Sequence, residues 1–368
     1  MPKRLDAIPA LPHAYVPNAI GTPIPGVALP KGVPIAPLGL NESCFGASPA
    51  AIAATKARSE RLWIYPDPTS TALRNAIGKT HDLPPEGIVC GNGSEELIDV
   101  IARVYARPGD EILYPEFGFM QFPVVAIRVG ANPVAAPECN HVIDIDALLS
   151  RVTPRTRIVF IANPNNPTST MIGRAAINRL ADALPSNVVL VIDAAYAEYA
   201  IPADYTAGHE LVAGRHNVVV LRTFSKAYGL AALRVGWAHC APDMAAHLNQ
   251  VRGVGNINAL AQEAAIAALG DPDFTSSVRP RNALMRDSLA SRYRALGLQP
   301  LDGQANFLAV RFPDQPGRRA SDAHALLASR GIWVRRLADC GMPDFLRITI
   351  GVPADNERLF EALAALGS

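Results

Sequence analysis

The chain has 368 residues, 49% of them hydrophobic and 18% charged, with 34 basic against 33 acidic side chains and a formal net charge of +1. That apolar content excludes a disordered chain, and 27 Gly with 32 Pro but no repeat period exclude collagen-like sequence. The near-neutral balance argues against a protein built mainly to bind nucleic acid or an anionic membrane. No apolar run approaches the roughly 20 residues of a membrane helix. The opening Met1-Pro2-Lys3-Arg4-Leu5-Asp6 lacks the apolar core of a secretory signal, so a soluble cytoplasmic protein is expected.

Residues 1–40 are rich in Pro and Gly and read as an irregular arm over a larger body. Helices are expected over 50–58 and from Thr71 after Pro66-Asp67-Pro68. Short apolar runs at 88–90, 111–114, 158–161, 188–192 and 218–221 then alternate with amphipathic stretches. Strands apolar on both faces belong to a mostly parallel sheet covered by helices, so the fold class is α/β. After about residue 275 the pattern changes to a helix over 279–295, a strand at 307–310, a helix over 320–330, strands at 332–334 and 346–350, and a last helix near 356–366. The expected organisation is an arm (1–40), a large domain (41–275) and a small α+β C-terminal domain (276–368).

Five cysteines and eight histidines lie scattered, with no metal-ligand spacing, so no metal site is expected. The lysines are more telling. Only five of the 34 basic residues are lysine, and Lys226 is the one lysine beyond residue 80. Arginine is not deprotonated near neutral pH and cannot act as a nucleophile, whereas lysine can. Lys226 lies in Thr223-Phe224-Ser225-Lys226-Ala227-Tyr228-Gly229-Leu230, with Arg234 close behind. Hydroxyls and a guanidinium make a phosphate cradle, and an amine beside it can form an imine.

Ligands of open α/β sheets bind beyond the carboxyl ends of the strands. After the first strand, Gly91-Asn92-Gly93-Ser94-Glu95-Glu96 opens a helix whose N-terminus suits phosphate, although the same residues would also simply cap it. Tyr114-Pro115-Glu116-Phe117-Gly118-Phe119 offers rings for core packing or for stacking on a flat ligand. Asn163-Pro164-Asn165-Asn166-Pro167 is a turn that also presents an amide donor. The strand at 188–192 runs into Asp193, an acid that needs a partner such as a protonated pyridine nitrogen, with Tyr196 following. One cofactor uses the whole set: pyridoxal 5'-phosphate.

With these motifs, joined by Asn41-Glu42-Ser43, Tyr65-Pro66-Asp67-Pro68, Arg234-Val235-Gly236 and Leu346-Arg347-Ile348-Thr349, the chain resembles the fold-type I PLP-dependent aminotransferases of the class I/II group from about residue 38 to 351. Within that group it is most similar to the histidinol-phosphate aminotransferase family. The resemblance implies that Lys226 holds the cofactor covalently and moves the substrate proton. It implies that Asp193 pairs with the ring nitrogen, that Asn166 and Tyr196 bind the ring 3-oxygen, and that Phe117 stacks on the ring. The phosphate falls to Ser94, Glu95, Thr223, Ser225 and Arg234. Tyr65 would reach the phosphate of a neighbouring subunit, implying a homodimer with shared sites. Arg347 resembles the arginine that grips a substrate carboxylate, and Arg335 a second anion-binding arginine. The implied partners are a small amino donor and an oxo acid.

Four features depart from the family pattern: Ser169 where glycine is usual, Cys44 in place of proline, the segment 251–258 without its usual Pro-Phe, and an extra Arg336. The nearest rival readings are an aromatic-amino-acid aminotransferase, a phosphoamino-acid decarboxylase and a non-catalytic PLP-binding regulator. A nicotinamide dehydrogenase would leave Lys226 without a task, and no Gly-x-Gly-x-x-Gly lies between a strand and a helix.

Overall fold

A computed structural model describes residues 32–366. The arm therefore lies outside the described residues up to residue 31. Its end carries a short strand, β1 (Ala36–Pro37). Two helices follow, α1 (Pro49–Ser59), capped by the Ser48 hydroxyl accepting from Ala51 N, and α2 (Thr71–His81).

The large sheet then builds from β2 (Ile88–Gly91), α3 (Ser94–Tyr105), β3 (Glu111–Pro115), α4 (Gln121–Arg128), β4 (Asn132–Ala136), α5 (Ile145–Ser150) and β5 (Thr156–Ala162). It continues with α6 (Arg174–Ala183), β6 (Val189–Asp193), α7 (His209–Val212), β7 (Val218–Thr223) and β8 (Gly236–Cys240). The strand order is β2-β8-β7-β6-β5-β3-β4. β3 to β7 pair in parallel, while β8 runs antiparallel to both β2 and β7. Alternation along buried strands supplies two cores: Val191, Val219 and Leu221 pack on one face, Leu190, Ile192, Val218 and Val220 on the other.

The remaining helices are α8 (Pro242–Val251), α9 (Ala259–Leu269) and α10 (Pro272–Ala295). Beyond them lie β9 (Gln299–Pro300), β10 (Phe307–Arg311), α11 (Ala320–Ser329), β11 (Ile332–Trp333), β12 (Arg335–Arg336), β13 (Phe345–Thr349) and α12 (Pro353–Ala364). A second, antiparallel sheet has the order β12-β13-β10-β9. β1 pairs in parallel with β11, and Ala36 and Leu38 join the core formed by Leu308, Val310, Leu346 and Ile348. The stretch read as an irregular arm thus ends in a strand that forms a separate two-stranded sheet with β11 and packs its side chains into the core of the second sheet. Among the described residues, no helix is long and apolar enough to cross a membrane.

Candidate active site

Because β2, β5, β6 and β7 point the same way, their carboxyl ends open on one edge, and the polar residues after them converge there. They face a cavity of about 250 Å³.

At one end, Ser94 and Glu95 begin α3 after Gly93, whose φ of +84° suits glycine. No side chain caps this helix; Glu96 turns away, accepting from Asn92 N at 2.5 Å and Asn256 Nδ2 at 2.7 Å. Glu96 thus reaches back over the helix start, while Ser94 and Glu95 line the cavity at the positive helix end. Arg234 Nη1 donates to Ser225 Oγ at 3.3 Å, and Thr223 Oγ1 accepts from Ser225 N at 3.1 Å. Two glycines keep this corner open: a Cβ on Gly93 would stand 2.6 Å from Arg234 Nη2, and one on Gly236 2.5 Å from Ser94 N. The result is a concave cluster of N–H, hydroxyl and guanidinium donors shaped for a phosphate.

In the middle, Asp193 is only 5% exposed and accepts from Ala195 N at 3.1 Å. Burial pushes its carboxyl up to about 6, against the pull of that backbone bond and of Lys226. Lys226 Nζ donates to Leu40 O at 3.0 Å. Burial drives its amine down to about 7, helped by the Arg347 and Arg234 charges and opposed by Glu42 and Asp193. Close to neutral pH a large fraction is then the free amine, the nucleophilic form. The Tyr196 hydroxyl accepts from Asn41 Nδ2 at 2.9 Å, and burial pushes it up to about 12.

At the far end, Arg347 donates from Nη1 to Asn166 Oδ1 at 2.7 Å and from Nη2 to Gly39 O at 2.6 Å. Its Nε is buried with no partner among the described residues, so the guanidinium has a donor free to meet an anion. Arg335 pairs with Arg347 across β12 and β13 and also lines the cavity.

A model of the aminotransferase class I and II family matches residues 33–363. The chain belongs to the class I and II aminotransferases. It is 47% identical to the histidinol-phosphate aminotransferase of Rhodospirillum centenum, covering 89% of this chain and 90% of that one. The enzyme of the same name from Dinoroseobacter shibae is also 47% identical, with 89% and 90% coverage. Among solved structures, histidinol-phosphate aminotransferase from Sinorhizobium meliloti, in complex with pyridoxal-5'-phosphate, superposes with a TM-score of 0.83 at 31% identity, covering 89% of each chain.

Two residues singled out in the sequence do not line this cavity, Tyr65 having been expected only at that of a neighbouring subunit. Phe117 packs beside His141 (ring centroids 5.2 Å apart) in a cluster with Leu337 and Phe345; Phe119 and Met120 line the cavity in its place. Tyr65 is 94% exposed, within a run of exposed apolar residues from Leu62. Segment 251–258 is absent from the cavity lining; its Asn256 braces Glu96, and Arg252 Nη2 donates to Pro68 O at 2.8 Å. Arg336 is exposed. Ser169 adopts φ +65°, and its Oγ accepts from Ala305 N at 2.9 Å, so the usual glycine is replaced by a residue that accepts the left-handed backbone and gains a tie to the segment before β10. Asn41, which contacts Tyr196, was legible only as part of the motif Asn41-Glu42-Ser43, and Leu40, which contacts Lys226, not at all, because their partners lie more than 150 residues away.

Proposed function

We propose that this chain is a PLP-dependent aminotransferase that interconverts histidinol phosphate and imidazole acetol phosphate, with 2-oxoglutarate and glutamate as the other pair. The observation that carries this reading is the meeting, in one cavity, of a nucleophilic lysine, a buried acid, a phosphate-shaped donor cluster and two arginines. The residues fit the cofactor. The corner kept open by Gly93 and Gly236 would accept its phosphate, and Asp193, held up at about 6 with only a backbone N–H donating to it, would be relieved by a protonated ring nitrogen.

Pyridoxal phosphate, when bound, supplies an aldehyde that takes up an amino group and a ring that stores the electron pair left at the substrate's Cα. This chain's residues do the rest. Lys226, as a free amine, would hold the cofactor and, when released from it, would take the proton from the substrate's Cα. Asp193 would keep the ring nitrogen protonated. Asn166 and Tyr196 would hold the ring 3-oxygen, and Ser94, Glu95, Thr223, Ser225 and Arg234 would fix the phosphate. Phe119, with Met120, is better placed than Phe117 to cover the ring face. Arg347 takes the carboxylate of glutamate, and Arg335 the distal phosphate or carboxylate, so one pocket serves both half-reactions in ping-pong order.

We further propose a homodimer. The exposed run Leu62-Trp63-Ile64-Tyr65, with Trp63 77% exposed, supports it, since a large apolar patch at the surface calls for a covering partner; sedimentation of a single mass equal to one chain would remove this point. The division into 41–275 and 276–368 is likewise our reading, supported by the separation of the seven-stranded from the four-stranded sheet. A cytoplasmic setting, in keeping with five unpaired cysteines, belongs to the same reading.

The test mixes the holoenzyme separately with histidinol phosphate, phenylalanine, tyrosine and O-phosphothreonine. Histidinol phosphate should convert the cofactor absorbance fastest at low concentration. Faster conversion by phenylalanine would favour the aromatic-amino-acid reading, and CO2 release from O-phosphothreonine a decarboxylase. Lys226→Ala should abolish transamination, and borohydride reduction with peptide mapping should place a pyridoxyl group on Lys226.

A further inference from the structure

Arg335 enters the cavity already paired. Its Nη2 forms an ion pair with Asp339 Oδ2, four residues on in the turn Ala338–Cys340, and lies 4.0 Å from Met120 Sδ at the cavity wall. Arg335 is largely buried, with 12% of its side chain exposed, whereas Asp339 keeps 44%. Arg347, on the neighbouring strand, is held by neutral acceptors, an amide oxygen and a backbone carbonyl. The two arginines thus differ in kind: one meets a ligand with its full charge, the other with its charge largely matched. Arg347 also lies within the fields of both members of the pair, Arg335 disfavouring its charge and Asp339 favouring it.

We infer that Asp339 is a positioning residue that sets specificity for the substrate's distal group, by acting through Arg335 as a resident counter-charge. It does not touch the substrate. A distal anion approaching Arg335 is repelled by Asp339 in proportion to its own charge, so a phosphate dianion is held back more than a carboxylate. A neutral side chain meets a pair with no net charge and is spared the desolvation of a lone buried guanidinium. The arrangement moderates the preference for doubly charged substrates and lets one pocket release both phosphate-bearing and carboxylate-bearing products. The inference rests on the aminotransferase reading given above.

The experiment is Asp339→Asn, isosteric and partly exposed, with Asp339→Glu beside it. Steady-state constants are measured for histidinol phosphate, glutamate and phenylalanine. From the size of a screened charge interaction across a partly buried site, Asp339→Asn is expected to lower KM about tenfold for histidinol phosphate and about threefold for glutamate, with none for phenylalanine. The kcat for each should change less than about twofold if only ground-state and transition-state binding move together. Asp339→Glu should restore the wild-type ratios. Equal shifts for all three amines, a rise in KM for both anions, or Asp339→Glu behaving like Asp339→Asn would overturn the inference. Calorimetric binding of inorganic phosphate to the holoenzyme reads the same charge without turnover: tighter binding by Asp339→Asn supports the role of Asp339, and unchanged binding refutes it. An enzyme inactive on histidinol phosphate would instead refute the proposed substrate, while the phosphate measurement still decides the part played by Asp339.

Discussion

The lowered basicity of Lys226 has a cost that can be measured without any substrate. In the unfolded chain its amine titrates near 10.5; in the folded protein burial and the nearby Arg347 and Arg234 bring it to about 7. Between these values the unfolded chain binds the proton more strongly, so stability must rise as pH rises through that window. Below pH 7 the folded state carries the whole penalty, about 5 kcal/mol at 1.36 kcal/mol per pH unit of displacement, and above about 10.5 it carries none. Replacing Lys226 by Met keeps the aliphatic bulk and removes the charge. Cofactor-free Lys226→Met is thus expected to be more stable than the cofactor-free parent at pH 6, by up to about 5 kcal/mol, and the advantage should shrink steadily toward pH 10. Urea unfolding of both proteins at pH 6, 8 and 10, at one fixed protein concentration, gives the difference directly, and titrations shared by the two cancel. A difference that does not change with pH would refute the argument that desolvation of this amine makes it nucleophilic.

Other perturbations test other parts of the site. Asp193 is an acid raised from 3.8 to about 6, so its cost appears as pH rises through that range and is complete above it; Asp193→Asn should stabilise the cofactor-free protein by up to about 3 kcal/mol at pH 8 while weakening cofactor retention in dialysis. Gly236→Ala would drive a methyl group to 2.5 Å from Ser94 N, and should lose cofactor affinity while the fold survives by circular dichroism. Arg347→Ala should raise KM for glutamate by about 30-fold or more, the scale of losing one partner of a buried charged contact; because Asn166 then loses its donor, a smaller change in the cofactor spectrum should accompany it. Ser169→Ala keeps the left-handed backbone but leaves Ala305 N without its acceptor, and is expected to cost about 1–2 kcal/mol in urea unfolding.

Much of the site was legible because its chemistry follows local rules. Lys226 stood out by residue choice, Asp193 by sitting at the end of an apolar strand, and the turn Gly91-Asn92-Gly93 by its glycines. The strands at 88–91, 111–115, 156–162, 189–193 and 218–223 declared themselves through β-branched runs. β8 did not. Its sequence Gly-Trp-Ala-His-Cys lacks that signature, and it is a strand because β2 and β7 bury it from both sides. β4 was hidden by the proline it carries at the sheet edge. α10 begins at Pro272 under an Asp271 cap and passes through Pro280, which reads in sequence as a boundary. The aromatic pair also misled. The residues alone left either ring to pack or to stack and the resemblance implied Phe117, whereas it is Phe119 that lines the cavity after β3.

The sequence by itself determined the α/β class and singled out Lys226, Asp193 and the turn Gly91-Asn92-Gly93 as candidates, since each follows from composition or from a handful of adjacent residues. Only the tertiary structure decided that Asn41 would hold Tyr196, that Leu40 would receive the Lys226 proton donor, that Ser169 would tie to Ala305, and that Arg335 would arrive with Asp339 already beside it. The physical reason is the same in most of these cases. Burial and hydrogen bonding between segments more than a hundred residues apart depend on how two sheets and the segment before α1 pack together, and no local pattern encodes that packing. For Arg335 and Asp339 the spacing was always visible, but its meaning came from the cavity into which β12 turns the arginine.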